Sequence, residues 1–365
     1  MPIYMDVHIV PGVKAKDVAE AHRKDLLCQG EYGCNCMTYW IDEERETIFC
    51  LIEAPDKDAV KEMHNKAHGL VPHKVIEVSS SIVESFLGRI YDPEDAKATE
   101  QGLKIFTDPS FRVLLVIRTI DFRLLQHQTG KEHANELITR LAGIIRKNSL
   151  EFEGSEVEHA GTGFIISFSS ASKAVACVLA IEKDMPAADA IALDTRMAIN
   201  GGEPVGKSNK LFGDTIQFAN YLCWITHNSK IAIASGVRQL ISKDHSHDRD
   251  DRFLSLSEQE EIFLRALFNK LEEKWQDPGF DIPDYCQAMA MSQSQLYRKT
   301  TALTGMSCNV LLKEFRLEKA KDLMKKQYYT IAQITFESGF TSPSYFTKCF
   351  KKKYGLLPMT YIDLQ

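Results

Sequence analysis

IPDYCQAMAMSQSQLYRKTTALTG at residues 282–305 and IAQITFESGFTSPSYFTKCFKKKYG at residues 331–355 are two versions of one design, joined by a single long amphipathic segment. In the first version Asp281 or Ile282 precedes Pro283, a residue suited to a helix's first turn, and the helix runs to Met289. Ser292 caps a second helix that ends at Gly305. Leu296, Thr300 and Leu303 recur on it at helical spacing and face the core. Gln293, Ser294, Gln295 and Arg298 are left on the other side, as donors suited to base edges and phosphates. From Ser307 to Lys326 a long helix carries Leu312, Phe315, Ala320 and Leu323 toward one side and holds the two units apart. In the second version Ile331, Ile334 and Phe336 belong to a short helix, Gly339 makes the turn, and Ser342-Pro343 is a cap followed by proline at the first helical position. Phe346, Cys349, Phe350 and Tyr354 form its buried stripe, so Ser344, Tyr345 and Lys348 point outward. A recognition helix requires that division of faces.

Arg316-Leu317-Glu318-Lys319-Ala320, Ile331-Ala332-Gln333-Ile334, Glu337-Ser338-Gly339-Phe340, Ser344-Tyr345-Phe346 and Phe350-Lys351-Lys352-Lys353-Tyr354-Gly355, with Pro358, resemble the signature of the AraC family of bacterial transcription regulators. The resemblance implies an all-α double helix-turn-helix domain over residues 257–365. It also implies double-stranded DNA as partner, with the two recognition helices in successive major-groove turns about 34 Å apart. Residues 291–355 hold 12 Lys/Arg against 4 Asp/Glu, a balance of +8 inside a chain of net charge −6. Such an excess is the electrostatic footprint of a phosphate-binding face.

The chain of 365 residues is long enough for two or three domains. No stretch approaches the roughly 18 apolar residues of a membrane span, and the N-terminus lacks the basic and apolar regions of a secretory signal, so the cytoplasm is expected. Nine cysteines, an odd number spread over every region, read as free thiols. Polar residues 92–102 and the charged run 243–252 read as linkers, and His245 and His247 in the latter as solvated. The expected class is a multi-domain α+β protein with domains at 1–91, 103–242 and 257–365.

In the first domain, residues 4–10, 36–41, 47–53 and 74–78 read as strands and residues 15–29 and 56–68 as helices. The order βαββαβ suits a ferredoxin-like sandwich, an antiparallel sheet with two helices on one face. His8, His22, His64, His68 and His73 gather there with Cys34, Cys36 and Cys50. His64 and His68, at i and i+4 of one helix, can point at one ion, and imidazole with thiolate suits transition metals. Tyr4-Met5-Asp6-Val7-His8, Ala21-His22-Arg23-Lys24-Asp25-Leu26, Phe49-Cys50-Leu51-Ile52-Glu53-Ala54-Pro55 and Ala67-His68-Gly69-Leu70-Val71-Pro72 resemble a family of small dimeric ferredoxin-like bacterial proteins that bind nickel. That resemblance implies His8, His22, Cys50, His64 and His68 as ligands, unranked among themselves, with Asp6, Glu53 and His73 as further ligands or orienting partners. Nickel is the ion implied, with zinc and copper as competitors at such donors.

The middle domain reads as α+β: strands at 111–120, 156–160, 163–168, 194–200 and 230–234, helices at 133–146, 172–182 and 217–224. Gly161-Thr162-Gly163, Arg196-Met197-Ala198-Ile199-Asn200-Gly201-Gly202 and Phe212-Gly213-Asp214-Thr215 resemble the class III nucleotide cyclase domain. A catalytic member holds two metal ions on a pair of Asp residues. Here those positions read as Arg118 and Thr162, Asp121 is displaced, and Gln217 stands where the orienting Asn belongs. The resemblance therefore implies a cyclase-like fold without cyclase activity, used for dimerisation, ligand sensing or spacing. The chain is expected to be a homodimeric, metal-responsive DNA-binding regulator that works with RNA polymerase and no membrane, and not an enzyme. A cyclase fused to a DNA-binding tail and a metal buffer with constitutive DNA binding are the competing classes.

Overall fold

The computed structural model describes residues 1–94, 96–98, 104–157, 163–226, 231–242, 251–326 and 329–364. The hairpin turn at Gly161-Thr162 and residues 243–250 of the second linker lie outside the described residues.

The first strands and α-helices are β1 (Ile3–Ile9), α1 (Ala15–Cys28), β2 (Asn35–Asp42), β3 (Thr47–Glu53), α2 (Lys57–Ala67), β4 (Lys74–Val78) and α3 (Ser80–Leu87), with a 3-10 turn at Gln29–Tyr32 between α1 and β2. Helix α2 begins where expected because the Asp56 side chain accepts from the amides of Asp58 and Ala59, satisfying two donors a helix start leaves free. The strands form one sheet in the order β2-β3-β1-β4, with every neighbour antiparallel. Helix α3 escaped the sequence reading: Ser79 and Gly88 bracket only two turns, too short a run for a period to show.

Both faces of this sheet are covered. Tyr4, Ile48, Cys50 and Ile52 pack with Val18, Ala19, Val60 and Met63 of the two helices. Met5, Val7, Trp40, Phe49, Leu51 and Ile76 point the other way, into a core shared with Val83, Phe86 and Leu87 of α3 and with the strands that follow. Alternation along β1 and β3 thus assigns successive residues to two environments.

The chain continues through a short hairpin, β5 (Lys97–Ala98) and β6 (Lys104–Ile105), to β7 (Arg112–Arg118), α4 (Phe122–Thr129), α5 (Lys131–Glu151), β8 (Ser155–Val157), β9 (Phe164–Phe168), α6 (Ala171–Asp184), α7 (Ala187–Ala192), β10 (Arg196–Gly202), α8 (Gly213–Ile225), β11 (Ile231–Ile233), α9 (Ser235–Ser242) and β12 (Phe253–Ser255). The sheet order is β12-β11-β10-β7-β9-β8, antiparallel except for the parallel pairs β10/β11 and β11/β12. Helix α4 is an addition to the sequence reading; Asp121 caps it by accepting from the Arg123 amide.

The last part is helical: α10 (Glu258–Lys274), α11 (Ile282–Ala288), α12 (Gln293–Thr304), α13 (Cys308–Lys325), α14 (Ile331–Glu337), α15 (Pro343–Tyr354) and α16 (Pro358–Asp363). Asp281, Ser292, Ser307, Thr330 and Ser342 each cap the helix that follows, and Gly305 and Gly355 close α12 and α15 in the left-handed conformation. Ser292, Leu296, Arg298, Thr300 and Gly305 return at a constant offset of 50 positions as Ser342, Phe346, Lys348, Phe350 and Gly355. The turns correspond by position after the helix end, one short of that offset: Ala290 (φ +49°) follows the Met289 cap as Gly339 (φ +75°) follows the Ser338 cap. The first unit joins the large core through Tyr285 and Leu296, whereas the second has its own, built on Ile334, Phe346, Phe350 and Tyr361.

Candidate metal centre and nucleic-acid interface

Asp6 and His8 lie two apart on β1 and so face the same way, under the helices. Cys50 is the cross-strand partner of Asp6, and its amide donates to Asp6 Oδ1 at 3.1 Å. His64 reaches the same spot from the inner face of α2. Its Nε2 is 2.9 Å from Asp6 Oδ2, and His8 Nε2 is 3.4 Å from Asp6 Oδ1. One ligand atom from each of Asp6, His8, Cys50 and His64 falls within 4.8 Å of all the others. The spacing suits one ion: metal–donor bonds of about 2.0 to 2.3 Å bring neighbouring donors to roughly 3 Å and opposed ones to roughly 4 Å. The donor set, two imidazoles with a thiol and a carboxylate, is that of a transition-metal site.

The second nitrogen of His64 is also engaged. Nδ1 is 3.1 Å from Asp25 Oδ1 of α1 and 3.1 Å from His68 Nε2, and His68 Nε2 is 3.1 Å from the same Asp25 oxygen. Asp25, His64 and His68 form a second close group. A histidine held on one nitrogen by a carboxylate presents the other in fixed orientation, the arrangement that supports histidine ligands in metal sites. His68 differs, because its Nδ1 accepts from the Leu70 amide at 3.2 Å. That bond leaves the His68 proton on Nε2, facing Asp25.

Burial and charge work against each other here. Asp6 is wholly buried, and burial alone pushes its carboxyl up, yet His8 and His64 hold it well below the ordinary carboxylate range. Asp25 likewise sits low: burial raises it and the bonds from His64 and His68 outweigh that. Burial lowers His64, but Asp6 and Asp25 together lift it to about 10. Burial and the Asp6 charge push the Cys50 thiol well above its usual value. Buried ionisable groups are costly to fold, and a cluster this dense makes the spot the candidate functional site.

The remaining expected ligands lie elsewhere. His22 is buried against the Tyr39 ring, centroids 5.2 Å apart, with Nε2 4.0 Å from Asp92 Oδ2, outside both groups; burial lowers it against the pull of Asp92 and Asp25. His73 Nδ1 accepts from the Ile9 amide, and Glu53 pairs with the terminal amine of Met1 at the far end of β3. Asp25 was not singled out by sequence. Its signals are its place in the stretch Ala21-His22-Arg23-Lys24-Asp25-Leu26 and its position three residues after His22, on the same face of one helix.

On the helical domain, Gln293, Ser294, Gln295 and Arg298 of α12 and Ser344, Tyr345 and Lys348 of α15 are all exposed. Gln295 has a second task, since its Oε1 accepts from the Ser292 amide and closes the capping box. Tyr297 is 58% exposed on the same face of α12 and was not singled out. Not every basic residue is free. Lys319 pairs with Glu272, Lys321 with Glu318, Lys325 with Asp121, and Lys353 with Glu314 and Glu318, while Arg316 donates to the carbonyls of Trp275 and Asp277.

In the middle domain Arg118 ends β7, at the position read as the first metal anchor. Asp121 is occupied twice, by the Arg123 amide and by Lys325 Nζ at 2.7 Å. Gln217 donates to Tyr221 Oη at 2.6 Å.

Residues 4–78 match the family model described as nickel responsive protein SCO4226-like, and residues 285–363 match that of the helix-turn-helix domain. The chain is 32% identical over 108 residues to histidine kinase P4 of Formosa agariphila, covering 30% of this chain and 8% of the kinase. It is 29% identical over 98 residues to the HTH-type transcriptional regulator MtrA of Neisseria gonorrhoeae, covering 27% of this chain and 31% of that protein. The chain therefore spans less than a third of either relative. The crystal structure of SCO4226 from Streptomyces coelicolor A3(2) is 31% identical, covers 21% of this chain and 94% of its own, and superposes with a TM-score of 0.20. The C-terminal domain is thus an AraC-type helix-turn-helix domain and the N-terminal one is SCO4226-like. No helix among the described residues is long and apolar enough to cross a membrane.

Proposed function

We propose that the chain is a cytoplasmic, sequence-specific transcription regulator of AraC type whose N-terminal domain, a ferredoxin-like sandwich, responds to a transition metal, nickel first. The domains run over 1–91, 103–242 and 257–365, and the protein acts on double-stranded DNA as a homodimer alongside RNA polymerase. The observation that carries the metal half is the buried meeting of Asp6, His8, Cys50 and His64 in a domain matching a nickel-responsive family. Asp6, His8, Cys50 and His64 hold the ion. Asp25 fixes the His64 ring from behind, and His68, whose proton faces Asp25, completes that support. A bound ion supplies positive charge where His64 now supplies a proton, so occupancy changes how α2 is held against β1. Gln293, Ser294, Gln295 and Arg298 on one helix, and Ser344, Tyr345 and Lys348 on the other, make the base-edge and adjacent phosphate contacts.

The middle domain is read as a cyclase relative without the chemistry. Arg118 brings positive charge where a metal anchor would sit, and the next Asp along the chain, Asp121, is committed to a helix cap and to Lys325. The test is DNA binding by the full-length protein at one stated salt concentration, metal-free and with nickel, zinc or copper, with metal content assayed in parallel. Stoichiometric uptake of one ion with a shift in specific affinity supports the reading. Uptake with no shift makes the first domain a buffer, and cyclic nucleotide made from ATP or GTP above an Arg118→Ala control would return the middle domain to catalysis.

A further inference from the structure

The donors of the metal group and the contacts to the middle domain share the same strands, on opposite faces. Asp6, His8 and Cys50 face the helices; Met5, Val7, Phe49 and Leu51, their neighbours in sequence, are buried against the rest of the chain. The rim of that second face carries two polar attachments. Lys74 Nζ, with three protons to give, is 2.7, 2.7 and 2.6 Å from the carbonyl oxygens of Gly206, Lys207 and Ser208. Thr47 Oγ1 donates to Glu203 Oε1 at 2.7 Å. Lys74 is the cross-strand partner of Val7, and Thr47 that of Ile9. The two attachments therefore flank His8 on either side and end on one loop, residues 203–208. The loop is fixed from its other side by Asp214 of α8, which accepts from the amides of Lys207 and Ser208. Helix α8 packs in turn on α10 and on α12, the first recognition helix.

We propose that Lys74 and Thr47 are positioning residues that clasp the 203–208 loop and pass the metal state of the N-terminal domain, within one chain, to the middle domain and α8. The proposal rests on the metal-responsive reading above. The sheet is the lever of this route, because its second face is covered by the chain's own core. The ion shifts this balance only by its differential affinity for two arrangements of the clasp.

The experiment uses the full-length protein with nickel as the probe ion and three readouts: nickel affinity, deuterium uptake at the amides of residues 203–208, and the ratio of specific-DNA dissociation constants without and with nickel. Wild type is compared with Lys74→Met, Thr47→Val, their combination, and Thr47→Ser, which keeps the hydroxyl. Nickel should change uptake at 203–208 in wild type and Thr47→Ser and leave it unchanged in the double variant, which still binds nickel with wild-type affinity. The DNA ratio, on the order of 5- to 150-fold for an allosteric coupling, should fall to within about twofold of unity in the double variant. An equal nickel-dependent change in wild type and double variant overturns the clasp, as does nickel binding that leaves the wild-type loop unmoved. Nickel binding that moves the loop but not DNA affinity supports the clasp and defeats the regulatory reading instead. Wild type that takes up no nickel defeats both.

Discussion

Replacing Gly339 by Ala tests the turn on which the second helix-turn-helix unit depends. Gly339 has φ +75°, and a Cβ there would run into the Trp275 carbonyl oxygen and lie 2.8 Å from Arg316 Nε. Those two groups are bonded to each other, Arg316 Nε donating to Trp275 O at 2.8 Å, and Arg316 Nη2 also donates to Asp277 O. The new methyl group must therefore displace a charged hydrogen bond that ties α13 to the end of α10. The left-handed conformation costs an L-residue about 1 to 2 kcal/mol. Forcing a methyl group into filled space adds about 1 to 3 kcal/mol. The loss of roughly 2 to 5 kcal/mol should lower the urea midpoint of this domain by on the order of 1 to 3 M at an ordinary denaturant slope. Trp275 supplies the fluorescence signal, and specific DNA affinity, measured in parallel, should fall because the turn sets α15 against α14. A midpoint within about 0.3 M of wild type, at unchanged slope, would mean the backbone yields there and the steric argument is wrong.

The equivalent turn of the first unit runs the other way. Ala290 holds φ +49° with a side chain, so Ala290→Gly should stabilise the protein by up to about 1 kcal/mol, read as a rise in melting temperature. Arg298 is exposed with no ion pair among the described residues; Arg298→Ala should cost about 1 to 3 kcal/mol on the specific site and relax preference at one base position. Equal losses on specific and random DNA would make it a phosphate contact instead. In the metal-free protein His64 is lifted from 6.5 to about 10, so its contribution to stability is complete below about pH 6.5 and disappears as pH rises through about 10. Wild type should lose stability between pH 7 and pH 10 relative to His64→Gln; parallel curves for the two would refute the assignment.

Much of this architecture is legible because its signals are local. Asp281, Ser292 and Ser342 announce helix starts by their own side chains, and alternation along residues 47–53 separates Cys50 from Phe49 and Leu51 without any tertiary knowledge. The site was only half legible for the opposite reason. His64 stands out as a histidine, but its partner Asp25 looks like any polar helix residue until α1 and α2 are laid side by side over the sheet. Spacing alone offers His64 and His68 as equals; the Leu70 amide on His68 Nδ1 separates them, and no sequence pattern encodes that bond. His22 is drawn away by Asp92 and Tyr39, which meet it only after the chain has folded back.

The charge count of the DNA-binding region shows the same limit, and it has a measurable consequence. Twelve Lys/Arg in residues 291–355 suggest a broad phosphate-binding face. Arg316, Lys319, Lys321, Lys325 and Lys353 are bound internally to carbonyls or carboxylates. Arg298, Lys299, Lys313, Lys326, Lys348, Lys351 and Lys352 carry no ion pair among the described residues. Each neutralised phosphate contributes about −0.9 to the slope of log K against log salt, so these seven allow a slope no steeper than roughly −6 per DNA-binding domain, where all twelve would approach −11. Fluorescence anisotropy on a specific duplex over a range of salt concentrations gives the slope directly. A value beyond about −8 would show that the tied lysines leave their partners on DNA. Lys325 would then have to abandon Asp121, and DNA binding would reach the middle domain through that bond.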